Sequence, residues 1–167
     1  LASELDSYWA CRDPAATFTV AESDNSSDDG EPGGAVAVSD DDVNEIKALI
    51  DTMRFQPSVR MAINGKSLTL GVVRGAQLAT TSCDYQDVCD ILNKIMKKYS
   101  NTIGLQYWTS VVINLNTVAC PHKDKGNYGP SAIMVVGDYE SGGEFVWTTP
   151  RESIDLKNHI MLFDGKR

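Results

Sequence analysis

The residues best suited to chemistry lie in one short segment, Cys120 to Asn127, which reads CPHKDKGN. His122 and Asp124 are two residues apart, so on an extended segment their side chains point to one face. An imidazole nitrogen and a carboxylate oxygen on one face can bind the same metal ion. With a second histidine they form the facial triad of non-haem Fe(II) oxygenases. A surface loop in which the two side chains hydrogen-bond to each other has the same spacing, so the pair alone leaves both interpretations open.

Short apolar runs on both sides of this segment predict the strands that must hold it. Gly, Pro, Asn and Asp residues separate these runs, a pattern typical of a β-sandwich or β-barrel. The runs cover residues 109–115, 131–136, 143–148 and 159–163.

Helices are predicted ahead of the β-rich region. Ser39 followed by three aspartates predicts a helix start, because serine caps the first turn and acids favour its positive end. Apolar residues at helical spacing continue this helix to about residue 55, before Pro57, and a second helix is predicted over about 82–99. Asn64-Gly65 predicts the turn of a hairpin that joins 59–63 to 68–73. The fold class is therefore α+β, with helices first and a β-core after them.

Charge divides the chain into two parts. Residues 1–45 hold twelve acidic residues and one basic, a net charge of −11, whereas 46–167 hold eleven acidic and fourteen basic, a net charge of +3. The run 21–34 lacks large apolar side chains, which predicts a mobile acidic linker. We therefore expect an acidic, largely flexible segment over 1–38 and one domain over 39–167. Within that domain, helices occupy about 39–105 and the β-core about 106–167.

Composition narrows the class of protein. The chain has 167 residues, 42% of them hydrophobic, enough for one core. Because no run approaches the ~18 apolar residues that a membrane helix needs, the sequence predicts no membrane span. The spacing of Cys83 and Cys89 matches neither a zinc site nor a dense disulfide framework. We expect all four cysteines, including Cys11 and Cys120, to be free thiols in a reducing intracellular compartment, the nucleus included.

The order of motifs around the His-x-Asp pair is more specific than the pair itself. The motifs are Asn114, His122-x-Asp124, Asn127, Gly129, Ser131, Gly137-Asp138-Tyr139, Gly142-Gly143 and Phe163-Asp164-Gly165. Over residues 107–167 this order resembles the 2-oxoglutarate/Fe(II) dioxygenase-like proteins, with the TET/JBP-like branch of protists, algae and fungi closest in pattern.

The resemblance implies a double-stranded β-helix, or jelly-roll, on which the helices pack. It implies that His122 and Asp124 bind Fe(II), and that Asn114, with Asn116 next along the same face, contacts 2-oxoglutarate. Asn127 and Ser131 either lie near the substrate or brace the loop. The paired glycines are expected to form a tight turn between strands, and Trp108 and Trp147 are expected in the core.

The sequence departs from the family pattern after Gly165. The family has a second metal-binding histidine soon after this turn and an arginine on the next strand that grips 2-oxoglutarate. The chain ends at Arg167, so both are missing here, and we expect a fragment without the final strands of the jelly-roll. His159 precedes the turn on a predicted strand, which makes it a poor substitute for the missing ligand.

Three hypotheses for function remain at this stage. An intact enzyme would hydroxylate a substrate. The TET/JBP-like pattern implies a thymine or 5-methylcytosine flipped out of DNA, with phosphates contacted by Lys123, Lys125, Arg151 and Lys157, while the related prolyl-hydroxylase-like branch keeps a protein substrate open. A catalytically inactive jelly-roll would instead serve as a binding or structural module, with a protein partner covering the open sheet edge. In the third hypothesis, His122, Asp124 and Cys120 bind a different metal.

Overall fold

One large sheet organises the protein, which is described here from a computed structural model. The structure describes residues 15–21, 34–59, 63–73, 77–105, 108–124, 129–148 and 151–166. The helices are α1 (Asp40–Thr52), α2 (Thr80–Asp84) and α3 (Gln86–Ile103). The strands are β1 (Ala15–Ala21), β2 (Val36–Ala37), β3 (Gln56–Pro57), β4 (Ile63–Val73), β5 (Gln77–Leu78), β6 (Ser110–Ala119), β7 (Ser131–Gly137), β8 (Glu144–Thr148), β9 (Arg151–Asp155) and β10 (His159–Phe163).

The order of strands in the large sheet is β2-β10-β7-β1-β6-β4-β3, with β5 paired to the far end of β4. Strand β1 is antiparallel to both of its neighbours, β6 and β7. Those two neighbours are therefore parallel to each other. The chain between them must return along the length of the sheet, and His122 and Asp124 lie on this return.

Each face of the large sheet is covered differently. On the first face, α1 and α3 bury the main core, which includes Ile46, Ile95, Ile113, Met134 and Ile160. On the second face, the hairpin β8–β9 packs over β7 and β10 around a smaller core of Val135, Tyr139, Leu156, Met161 and Phe163. Two faces buried by different elements make an α+β fold, which confirms the predicted class at this level. Among the described residues, no helix is both long and apolar enough to span a membrane.

Most of the predicted elements are confirmed. Helix α1 begins after Ser39, which has an extended backbone and accepts a hydrogen bond from the Asp42 amide, although the helix ends at Thr52, a few residues before the predicted end. The second predicted helix is present as α2 and α3, which meet at Tyr85. The four predicted strands correspond to β6, β7, β8 and β10.

The predicted hairpin at Asn64-Gly65 is wrong. Residues 63–73 form one continuous strand, and Asn64-Gly65 lies at a register shift opposite Asn116 and Thr117. Gly65 has a φ of 139°, and a Cβ on it would come within 2.7 Å of Thr117 Cγ2. The Asn-Gly pair, which favours a two-residue turn, lies at a β-bulge here. Pairing with the ten-residue strand β6 continues on both sides of this bulge, so the chain does not reverse direction.

The segment 1–38, expected to be largely flexible, contributes to the sheet. It supplies β1 at the centre and β2 at one edge, and most of the expected acidic linker, residues 22–33, lies outside the described residues. The described strands form an open sheet and a separate hairpin, not a closed barrel. The jelly-roll is therefore not confirmed by this architecture.

A buried carboxylate joins the two long helices. Asp42 Oδ2 accepts hydrogen bonds from Ser39 Oγ (2.7 Å), Lys98 Nζ (2.6 Å) and Tyr99 OH (2.8 Å). The Tyr99 hydroxyl also accepts a hydrogen bond from the Ser39 amide. Burial would raise the pKa of Asp42, but the hydrogen bonds from Lys98, Ser39 and Tyr99 outweigh it and hold the pKa below its ordinary value.

Replacing Asp42 tests this junction. Asp42→Asn keeps an acceptor but loses the charge, and we expect a loss of about 1–2 kcal/mol in the free energy of unfolding at pH 7. A lowered folded-state pKa stabilises the fold above the unfolded value of about 3.9 and ceases to do so as pH falls through the folded value. The difference from wild type, measured by urea denaturation, should thus be constant above about pH 5 and shrink below about pH 4.

The matched control is Asp41→Asn, which removes the same charge from an exposed position in the same helical turn. It should cost less than Asp42→Asn at pH 7. Equal losses for the two variants would mean that helix-dipole effects, not the buried junction, account for the stabilisation.

Candidate metal centre

The His-x-Asp pair lies on the return from β6 to β7. Strand β6 ends at Ala119, and residues 120–124 continue as irregular backbone. Asp124 then meets the turn after β10, where its amide donates a hydrogen bond to the Gly165 carbonyl oxygen at 2.7 Å. Because Phe163 is paired with Ser131, this turn is at the end of the sheet where β7 begins. The return therefore brings Asp124 against the turn that follows β10.

The ring of His122 is oriented by its own backbone. Its Nδ1 lies 2.7 Å from the carbonyl oxygen of Cys120. A carbonyl oxygen can only accept, so Nδ1 carries the hydrogen and donates it. In the neutral ring the lone pair is then on Nε2, the tautomer found in histidines that bind a metal through Nε2 while the other nitrogen is held by a carbonyl.

The Nε2 of His122 lies 3.6 Å from Asp124 Oδ1. Two ligand atoms about 2.1 Å from one ion are separated by roughly 3.0–3.6 Å when the angle between them is 90–120°. The His122 side chain is 32% exposed and that of Asp124 is 17% exposed, so both remain accessible at the surface of the fold. A nitrogen lone pair and a carboxylate oxygen that face each other are two donor atoms that one metal ion can share.

The described residues supply two ligands at this point. Within them, no three His, Cys, Asp or Glu side chains are grouped so that they could hold a metal ion. Cys120 contributes its carbonyl oxygen to His122, and its exposed side chain is a free thiol, as are those of Cys83 and Cys89. The free thiols predicted from the sequence are confirmed for these three cysteines, whereas Cys11 lies outside the described residues.

His159 is at the opposite end of β10 from the turn that contacts Asp124. It begins β10 and is level with Val135, whereas Phe163 at the other end is level with Ser131. Four residues of strand separate these levels by roughly 13 Å. The His159 Nδ1 is 2.6 Å from the Lys157 carbonyl oxygen, so this ring is also fixed by its own strand. The position agrees with the expectation that His159 is a poor third ligand.

Asn114 is the buried polar residue of β6. It is 6% exposed, and its Oδ1 accepts no hydrogen bond within the described part of the chain. Its neighbours Ile113 and Leu115 contact the main core, so pleat alternation directs Asn114 to the second face. The partner of Asn114 in β4 is Ser67, which faces the same way. The second face is therefore polar at Asn114 and Ser67, whereas the part of it that lies under the hairpin β8–β9 is apolar.

The other predicted ligand-binding residues are placed differently. Asn116 has a φ of 49° at the bulge and is exposed, so the alternation that would have put it beside Asn114 is interrupted there. Ser131 has no exposed surface, a position that favours bracing over substrate contact. Asn127 lies outside the described residues. Ser131 and Asn114 are also at different levels of the sheet. Ser131 pairs with Ala21 of β1, whereas Asn114 pairs with Thr17, four residues earlier in the same strand.

The remaining motifs have structural roles. Gly142 and Gly143 adopt φ angles of 93° and 75° between β7 and β8, which confirms the expected tight turn. A Cβ on Gly143 would lie 2.7 Å from Cζ of Tyr139. Trp108 packs against the main core, and Trp147 packs in the smaller one, edge-on to Phe145 at 4.7 Å, which confirms their predicted core positions.

One contact could not be anticipated from the sequence. Asp124 and Gly165 are 41 residues apart, and nothing in their local sequences indicates that they touch. The Phe163-Asp164-Gly165 motif was nevertheless noticeable as a turn signal after an apolar strand. The motif identifies the turn that contacts Asp124, but it does not indicate the contact itself.

Replacing Asn114 by an apolar side chain of similar size tests its unpartnered state. A buried carbonyl without a partner costs about 1–3 kcal/mol, so we expect Asn114→Leu to raise the free energy of unfolding by about 1 kcal/mol. Asn64→Leu, an exposed asparagine on β4, is the control and should change it by less than about 0.5 kcal/mol. Destabilisation by Asn114→Leu in chemical denaturation would show that the amide is engaged within the fold.

Comparison with known proteins assigns no family to this chain. No protein-family model matches it, and searches of curated proteins and of solved structures give no significant match. Functional inference therefore depends on the geometry of His122 and Asp124, on the burial of Asn114 and on the order of motifs in the sequence.

Proposed function

We propose that this chain is a 2-oxoglutarate/Fe(II)-dependent dioxygenase-like domain in which His122 and Asp124 are metal ligands. The observation that carries the proposal is the orientation of His122. Its Nδ1 donates to the Cys120 carbonyl oxygen, which leaves Nε2 as an acceptor 3.6 Å from Asp124 Oδ1. An oriented imidazole and a carboxylate are two of the three protein ligands of a facial triad.

The donor set fits Fe(II). Imidazole nitrogen and carboxylate oxygen both suit this ion, and neither is blocked by burial in the apolar cores. The remaining coordination positions would be taken by water, by cosubstrate or by a residue outside the described ranges. Fe(II) with 2-oxoglutarate and O2 supplies the oxidation that hydroxylates a substrate, while the protein supplies orientation and a dry surrounding.

By register Asn114 is level with His159 and not with Phe163, so its role as a cosubstrate contact is proposed on the resemblance alone. Asn114 Oδ1, which accepts no hydrogen bond within the described part of the chain, and the neighbouring Ser67 form a polar strip on the second face of the sheet, beside the apolar part under β8–β9. We propose that the strip contacts 2-oxoglutarate through two donors, Asn114 Nδ2 and the Ser67 hydroxyl, because the cosubstrate has only acceptor oxygens at neutral pH and cannot pair with Oδ1.

The proposed substrate class is a base in nucleic acid, with a protein side chain as the competing class. Lys123 is exposed next to the pair and is available to a phosphate. Lys157 is less available, because its Nζ donates to the Tyr139 carbonyl oxygen and lies 4.9 Å from the centre of that ring. Lys125 and the Arg151 side chain lie outside the described residues.

A non-catalytic binding module is the second candidate. The observation that favours it is the presence of only two grouped ligands within the described part of the chain. Two protein ligands hold a divalent ion more weakly than three. In this alternative the sheet is kept as a scaffold for a protein partner, and neither metal binding nor turnover is expected.

Metal binding by matched histidine variants separates these candidates. We expect Mn(II), a redox-stable substitute for Fe(II), to bind the wild-type chain, and we expect His122→Gln to weaken binding at least ten-fold in titrations followed by electron paramagnetic resonance. His159→Gln is the control, since it removes an imidazole that is likewise bonded to the carbonyl two residues earlier. It should leave the Mn(II) affinity within two-fold of wild type.

Turnover decides between enzyme and module. With Fe(II), O2 and 2-oxoglutarate, the full-length protein that contains this chain should form succinate, and its His122→Gln variant should not. Circular dichroism checks that both variants are folded. Mn(II) binding that is equal in all three proteins would contradict the ligand assignment, and absence of binding in the wild type would support the non-catalytic module.

A further inference from the structure

We propose that Gly165 is a positioning residue that fixes the Asp124 carboxylate beside His122. The inference rests on the proposed function for its consequence in metal binding, but the contact itself involves described residues alone. Gly165 is in the turn that follows β10, and it is in contact with Asp124 on the return from β6 to β7. The turn thus acts on the candidate metal centre without contributing a ligand.

A hydrogen bond holds Asp124 against the turn, and the Asp124 side chain lies close to Gly165. The Asp124 amide donates to the Gly165 carbonyl oxygen at 2.7 Å. A Cβ built on Gly165 would lie 2.9 Å from Asp124 Cβ and 3.2 Å from its Oδ2. The first distance is shorter than real Cβ contacts. Asp124 Cβ therefore occupies the space that a side chain on residue 165 would need.

The need for glycine here comes from contact, not from backbone conformation. Seven described glycines have positive φ angles, and Gly165 is not among them. An alanine at this position can adopt the local backbone without the strain that a left-handed conformation imposes. Its methyl group would meet Asp124 instead, at the base of the side chain, where rotation about side-chain bonds gives little relief.

The turn is itself well anchored. Phe163 is buried in the smaller core, with its ring centre 4.9 Å from that of Phe145. Asp164 Oδ1 accepts a hydrogen bond from the Lys166 amide at 2.9 Å, which closes the turn. Because the turn is fixed on one side by the core, added bulk at Gly165 displaces Asp124 more readily than it displaces the turn.

Displacement of Asp124 would change its distance to His122. The two donor atoms are 3.6 Å apart, within the range suited to one ion, and residues that orient metal ligands typically change affinity by about 10–100-fold. We therefore expect Gly165→Ala to weaken Mn(II) binding at least ten-fold. Gly34→Ala is the matched control, since a Cβ at Gly34 meets nothing within 4 Å, and it should bind as wild type does.

A second pair of variants loosens the turn without adding bulk. Asp164→Ala removes the acceptor of the Lys166 amide and should weaken Mn(II) binding in the same direction as Gly165→Ala. Asp164→Asn keeps that acceptor and should restore affinity toward wild type. A role limited to overall stability would not separate these two variants in metal affinity once both are shown to be folded.

A measurement without metal tests the contact directly. In the metal-free wild-type protein, the Asp124 amide should exchange slowly with deuterium in NMR, because it donates to Gly165. In Gly165→Ala this protection should fall at least ten-fold, with the amides of β6 unchanged. Rapid exchange of Asp124 in the wild type would overturn the proposal even if Gly165→Ala failed to fold.

The outcomes distinguish this inference from the proposed function. If wild type binds Mn(II) and His122→Gln does not, but Gly165→Ala binds as tightly as wild type, only the positioning role is wrong. If wild type binds no Mn(II), the proposed function is wrong, and amide exchange alone decides whether Gly165 holds Asp124. Loss of both protection and affinity in Gly165→Ala, with Gly34→Ala unchanged, supports the proposal.

Discussion

The insertion of β1 between β6 and β7 is the constraint on which the candidate centre depends. Two strands that are both antiparallel to a third are parallel to each other, and parallel strands cannot be joined by a tight turn. The chain must therefore leave the sheet after β6 and return to its other end. His122 and Asp124 lie on this return, where irregular backbone permits side chains to be directed by individual hydrogen bonds.

The different covering of the two faces gives the second face its chemical character. Helices bury the first face uniformly with apolar side chains, whereas the hairpin β8–β9 covers β7 and β10 on the second. The part of that face on β4 and β6 has Ser67 and Asn114 instead. Within the described residues the Asn114 oxygen accepts no hydrogen bond, which makes this position polar and costly for the fold.

One residue of the pair is oriented by a local contact and the other by a contact between distant parts of the sequence. His122 is set by a carbonyl two residues earlier, an interaction available to any short segment of this sequence. The Asp124 amide donates a hydrogen bond to Gly165, and the turn that contains Gly165 is anchored by the burial of Phe163. The orientation of the imidazole therefore depends on a local contact, whereas the position of Asp124 depends on a contact between segments distant in sequence.

Sequence by itself determined the elements and the choice of residues. Periodicity and capping predicted α1 and α3, short apolar runs predicted β6, β7, β8 and β10, and the spacing of His122 and Asp124 marked the pair. These features depend on interactions between near neighbours, which the linear order records. The metal and cosubstrate roles remain proposals.

Tertiary structure decided what near neighbours do not specify. Asn64-Gly65 favours a hairpin locally, yet pairing with β6 extended the strand through it as a bulge. Pairing also placed Ala15–Ala21 at the centre of the sheet, and its sequence AATFTVA is itself strand-like although the surrounding segment is acidic. The contact of Asp124 with Gly165 depends on strand order across 41 residues, and no local pattern encodes strand order, because it is set by which pairings bury the most apolar surface together.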